Sequence, residues 1–136
     1  MPCGLPAAIK ASQSASPIEQ EGFARGPLLK LNDSVVMGPY PTEAEVQMLH
    51  EAGVRAVVSL LSDDERDWTE KEEKWAEENH FVFKRFAVER GNISQPQMEE
   101  IAVFVFNQPG LTYVHAVNTD DRVRELYKTM RRMIRE

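Results

Sequence analysis

From Leu28 onward, apolar and polar positions alternate with two periods, and the switches between them mark the elements. Leu28-Leu29-Lys30-Leu31 and Ser34-Val35-Val36-Met37 flank Asn32-Asp33, which predicts a short hairpin, since Asn and Asp tolerate the positive φ of a tight turn. Gly38-Pro39-Tyr40-Pro41 stops it. Thr42-x-x-Glu45 is a capping box, and Val46, Leu49 and Ala52 form the apolar stripe of a helix that Gly53 ends. Val54 to Leu61 is a β-branched run suited to a buried strand. Ser62-x-x-Glu65 opens a charged helix over 64–79, and Phe81 to Val88 is the next strand. Ser94-x-x-Gln97 caps a helix through Asn107, which Pro109-Gly110 ends. Leu111 to Ala116 is a strand, and a last helix runs from Asp120 to the C-terminus. The order β-β-α-β-α-β-α-β-α predicts an α/β fold whose central, mostly parallel sheet of about five strands is flanked by helices. In such sheets the site lies beyond the carboxyl ends of the strands, which singles out loops 62–64, 89–94 and 117–121.

Residues 1–27 show no sustained period and are rich in Ala, Ser, Gln, Pro and Gly, so they read as a flexible N-terminal tail before a single domain over 28–136. The 136 residues suffice for one domain with its own core. With 16 basic and 22 acidic residues the net charge is −6, which argues against nucleic acid as a partner. One cysteine, Cys3, and three scattered histidines, His50, His80 and His115, provide neither a disulfide framework nor a metal cluster, and nothing calls for a cofactor. With no signal-peptide pattern and no apolar run near the ~20 residues of a membrane span, the expected location is cytoplasmic.

Two charged stretches and one aromatic pair carry double readings. Residues 63–78 hold nine acids (Asp63, Asp64, Glu65, Asp67, Glu70, Glu72, Glu73, Glu77 and Glu78) beside Arg66, Lys71 and Lys74. They read as a solvated helix face, with docking to a basic partner as the alternative. Trp68 and Trp75, seven apart, share one helix face and read as core. The last helix sets Val123, Leu126, Tyr127, Met130 and Ile134 on one face, with Arg124, Lys128, Arg131, Arg132 and Arg135 largely elsewhere. That suits packing, or an anionic partner or membrane.

The strand ending at His115 runs through Ala116, Val117, Asn118, Thr119, Asp120 and Asp121 to Arg122. His115-Ala116-x5-Arg122 resembles the His-Cys-x5-Arg signature of small cysteine-dependent tyrosine and dual-specificity phosphatases, with Ala in place of Cys. The resemblance extends upstream to Val36–Thr42, Ala52-Gly53-Val54 and the strand Val57–Leu61, and covers about residues 28–136. It implies a phosphatase-like fold. In that family a thiolate attacks phosphorus, loop N–H groups cradle the phosphate, the arginine grips its oxygens and an acid on another loop protonates the leaving group. Measured against that pattern, Ala116 has no nucleophile, Thr119 stands where Gly is usual, and Val123 replaces a hydroxyl. Asp120 and Asp121 add carboxylates to a loop built for a dianion. The general acid would fall near Glu89.

The expectation is a catalytically inactive phosphatase-like module with a protein partner. A phosphatase, active or inactivated by substitution, and an assembly domain stay as alternatives, and oligomeric state is left open. His115 reads as a packed histidine bonded to a loop carbonyl, and Asn118, Thr119 or Asp120 as a helix cap. One of Asp120, Asp121 and Glu89 is expected to pair with Arg122 or to cap the loop's N–H groups, occupying the phosphate position from within.

Overall fold

The computed structural model describes residues 22–91 and 93–135. Leu29–Asn32 (β1) and Val35–Gly38 (β2) form the antiparallel hairpin, with the Asn32 side chain accepting from Ser34 N–H at 2.8 Å in the turn. Glu43–Glu51 (α1) follows. Its capping box is complete: Thr42 Oγ1 accepts from Glu45 N–H at 3.2 Å, and Glu45 Oε1 from Thr42 N–H at 2.9 Å. Gly53, with φ of 92°, reverses the chain after α1, where any side chain would be strained. Val54–Ser59 (β3), a 3₁₀ turn at Asp63–Glu65, Arg66–Glu78 (α2), Val82–Arg85 (β4), Gln95–Phe106 (α3), Leu111–His115 (β5) and Asp121–Arg135 (α4) complete the order.

The sheet runs β1-β2-β5-β3-β4, with every pair after the first hairpin parallel. Each face carries its own core. Met98, Ile101, Ala102 and Val105 of α3 and Val123, Leu126 and Met130 of α4 cover Val58 and Val114. Val46 and Leu49 of α1 and Ala76 of α2 cover the opposite face at Val57 and Tyr113. Neighbouring strand residues therefore point into different cores, and this is why the inner strands read as unbroken apolar runs. The expected α/β fold, a mostly parallel five-strand sheet flanked by helices, is the observed one.

Several boundaries differ from expectation, among them the start of α2 at Arg66 rather than 64 and the end of β5 at His115 rather than Ala116. β3 ends at Ser59 rather than Leu61, and Leu60 and Leu61 continue as a buried loop. β4 spans only Val82–Arg85 because it is an edge strand paired to β3 alone, and its ladder stops where β3 stops. Residues 22–27, expected within the tail, make contacts with the domain: Phe23 is buried and bridged to Gly26. One aromatic anchor outweighs the loop-like composition around it. The tail over 1–21 lies outside the described residues. Among the described residues no helix is long and apolar enough to cross a membrane.

Candidate functional site

β5 lies at the centre of the sheet, so the loop after His115 opens at its carboxyl edge, with β3 on one side and β2 on the other. Tyr40 N–H donates to Val117 O at 3.0 Å, and Leu60 N–H to His115 O at 2.8 Å, which ties the loop to both neighbours. Asp120 caps α4: its Oδ1 accepts from Arg122 N–H at 3.0 Å. This is the reading of the loop as a helix cap, with Asp120 as the cap among the candidates. Asn118 is exposed, whereas Thr119 is buried and donates through Oγ1 to Pro27 O at 2.6 Å.

Arg122 is 1% exposed and among the largest fully buried side chains of the molecule. Its Nη1 donates to Glu65 Oε1 at 2.8 Å, to Leu60 O at 3.2 Å and to Val88 O at 3.1 Å. Its Nη2 reaches Glu65 Oε2 at 3.2 Å and Asp120 Oδ2 at 2.8 Å. Nε is shared between the two Asp120 oxygens at 3.3 and 3.2 Å. An arginine carries about five N–H donors in a fixed fork, and each nitrogen here already has a carboxylate partner. One carboxylate grips the end of the fork and another its side. Asp120 also takes a backbone N–H at the start of a helix, the position where that fold geometry favours an anion.

Glu65 is held as firmly as it holds. Ser62 N–H donates to Oε1 at 2.9 Å and Arg90 Nη2 to Oε2 at 3.1 Å. Burial pushes its carboxyl up, but the Arg122 guanidinium, the Ser62 N–H and Arg90 outweigh that and bring it down to about 2. Burial lowers the Arg122 pKa, and the bonds to Glu65 and then Asp120 reverse the direction, leaving it above its ordinary value.

Of the three carboxylates offered from sequence, the fold brings only Asp120 to Arg122. Asp121 is exposed on the first turn of α4, where it and Glu125 line a cleft of about 350 Å³ with Gly91, Ile93 and Arg122. Glu89 is exposed in the β4–α3 connection and is not among the partners of Arg122. The second partner is Glu65, which had read as part of a solvated acidic run. Its signal was the Ser62-x-x-Glu65 box, which sets that carboxylate at the carboxyl edge of β3.

His115 is wholly buried. Its Nδ1 bonds Ala116 O at 2.9 Å, as expected of a packed histidine, while Nε2 meets Glu72 Oε2, a partner not foreseen. Tyr40 and Tyr113 wall the pair, with ring centres 5.5 and 5.8 Å from the imidazole. Burial raises the Tyr40 hydroxyl to about 12 and carries that of Tyr113 well above its ordinary value, so both stay neutral. Trp68 and Trp75 pack on Tyr40, yet both are half-buried: Trp75 lies against the α1-side core, whereas Trp68 stands outside it beside Arg25, which corrects the core reading for that ring. Ala116 is fully buried. Among the described residues no group of three or more His, Cys, Asp or Glu is placed to hold a metal ion.

Solved structures share this architecture. A candidate phosphatase from Neisseria meningitidis Z2491 superposes with a TM-score of 0.65 at 17% identity, over 76% of this chain and 75% of that one. Two structures of a candidate DUF442 phosphatase from Shewanella putrefaciens CN-32 give TM-scores of 0.65 and 0.67 at 19% and 18% identity. They cover 74% and 81% of this chain and 64% and 72% of theirs. No family model matches the chain, and no curated protein matches it significantly. At these identities the likeness establishes the fold, which is phosphatase-like.

Proposed function

We propose that this chain is a phosphatase-like domain that does not hydrolyse phosphomonoesters and acts as a protein-binding or regulatory module. The observation that supports this most is the saturation of Arg122 by Glu65 and Asp120. On this fold, phosphate transfer to a cysteine would need a thiolate at the end of β5 and a free arginine fork. Here Ala116 offers a methyl group and the fork is filled. An incoming phosphate dianion would also meet the two carboxylates, and each pair of like charges at ~4 Å repels by ~4 kcal/mol at an effective dielectric of 20. The loop is then a rigid surface whose anion is built in.

The test is turnover of a small aryl phosphate. The unmodified chain is expected to match the buffer blank, and Ala116→Cys alone to rescue little, because Asp120 and Glu65 still hold Arg122. Turnover by the unmodified chain that Arg122→Ala abolishes would overturn the proposal. So would strong rescue by Ala116→Cys alone, which would mean that the pocket is intact.

A further inference from the structure

Residues 22–27 do more than precede the domain. Phe23 N–H donates to Gly26 O at 3.0 Å and Gly26 N–H to Phe23 O at 3.2 Å, closing a tight turn. Phe23 is buried with its ring 5.8 Å from that of Tyr113. Ala24 N–H donates to Glu45 Oε2 at 2.7 Å, using the oxygen that the helix cap leaves free. Arg25 donates to Tyr40 O at 3.0 Å, and its guanidinium lies 5.0 Å from the Trp68 ring and 5.6 Å from that of Tyr40.

The turn then meets the β5–α4 loop. Pro27 O accepts from Thr119 Oγ1, and Gly26 packs so closely that a Cβ there would lie 2.7 Å from Thr119 Oγ1 and 3.2 Å from Thr119 N. Only glycine permits that approach. Tyr40, which carries Arg25, also donates its N–H to Val117 O. Val117 and Thr119 are thus both fixed, one by Tyr40 and one by the turn, and the next residue is Asp120.

We propose that residues 22–27 are a strap that holds the β5–α4 loop closed, and that undocking the strap makes Asp120 on Arg122 exchangeable for an oxyanion. The proposal rests on the self-occupied loop described above. Pinning Thr119 fixes the backbone from which Asp120 projects, so the carboxylate stays over the fork. Most of the strap lies at the surface, with Ala24 and Pro27 exposed and Arg25 half-buried, and Phe23 is its one anchor in the core beside Tyr113, whereas both ends of the loop, His115 and Arg122, are fully buried. Peripheral segments open at lower free energy than the core, so the strap can leave while both ends stay in place.

Amide hydrogen exchange on the full chain tests this, with Arg25→Ala, Phe23→Ala and Thr119→Val compared with the unmodified chain. Losing one strap contact should speed exchange at the Arg122 amide, the loop N–H bonded to Asp120, about tenfold, on the order of one lost hydrogen bond, with β3 and β5 amides unchanged. Inorganic phosphate should then shift the Arg122 Nε–H resonance in the strap variants. Wild-type exchange at the loop in all the variants would overturn the strap, as would equal acceleration of loop and core, which would make it ordinary core. Loosened loops that bind no phosphate would overturn the coupling to ligand. Asp120→Asn with the strap intact separates the underlying reading: phosphate binding there upholds the self-occupied loop whatever the strap does, and none removes it.

Discussion

At one end of the β5–α4 loop His115 meets Glu72 with no exposed atom. At the other, Arg122 meets two carboxylates and two backbone carbonyls. The His115 pair is sealed and minimal: Glu72 Oε1 is buried with no hydrogen-bond partner, and aromatic rings close around the imidazole. The Arg122 cluster is saturated, and its outer carboxylate, Asp120, keeps 28% of its side chain in solvent. The sealed pair has no side-chain atom that a ligand in solvent can reach. In the saturated cluster the outer carboxylate is the partner of Arg122 that solvent reaches most. On the proposed reading the first end is structural, and the second is where an anion would compete.

Substitutions can break this comparison. The largest effect is expected from Arg122→Ala, which strands Glu65 beside the Leu60 and Val88 carbonyls. Breaking a buried pair from one side costs about 3–5 kcal/mol, read as a lowered midpoint in guanidinium unfolding. Arg122→Lys should recover little of it, since an ammonium cannot match the fork. Glu65→Gln should cost about 2 kcal/mol through the lost charge-assisted bonds.

That variant also carries a pH signature. The Glu65 carboxyl falls from its ordinary 4.5 when unfolded to about 2 when folded, so its contribution is complete above pH 4.5 and fades as pH drops toward 2. Unfolding curves at pH 5 and pH 3 should converge between Glu65→Gln and the unmodified chain at the lower pH. Glu72→Gln, which keeps a hydrogen bond to His115, should cost about 1 kcal/mol. A loss larger than that of Glu65→Gln would reverse the ranking of the two ends. The exposed Glu89→Ala should stay within about 0.5 kcal/mol and leave anion binding unchanged.

Most of the fold was legible because its punctuation is local. The capping residues Thr42, Ser62 and Ser94 and the reversal at Gly53 sit where the helices start and stop, and the apolar runs between them have strand lengths. The site was legible in part. His115, Asp120 and Arg122 are close in sequence, so spacing could bring them forward. Glu65 and Glu72 were hidden in a run of acids whose net charge describes the exposed face only. Position was the better guide: Glu72 is four residues after Trp68 and three before Trp75, on the face those rings bury. Residues 22–27 were hidden for another reason. Composition averages over a window, and a strap needs only Phe23, Arg25 and a glycine that lets Thr119 approach.

The central claim is that Arg122 already has its anion. Titration of the unmodified chain with inorganic phosphate, followed at the Arg122 Nε–H resonance, tests it most directly. The account predicts no saturable shift through the millimolar range, with the resonance held by Asp120 throughout. Saturation at submillimolar phosphate would show the fork open to ligand and contradict it.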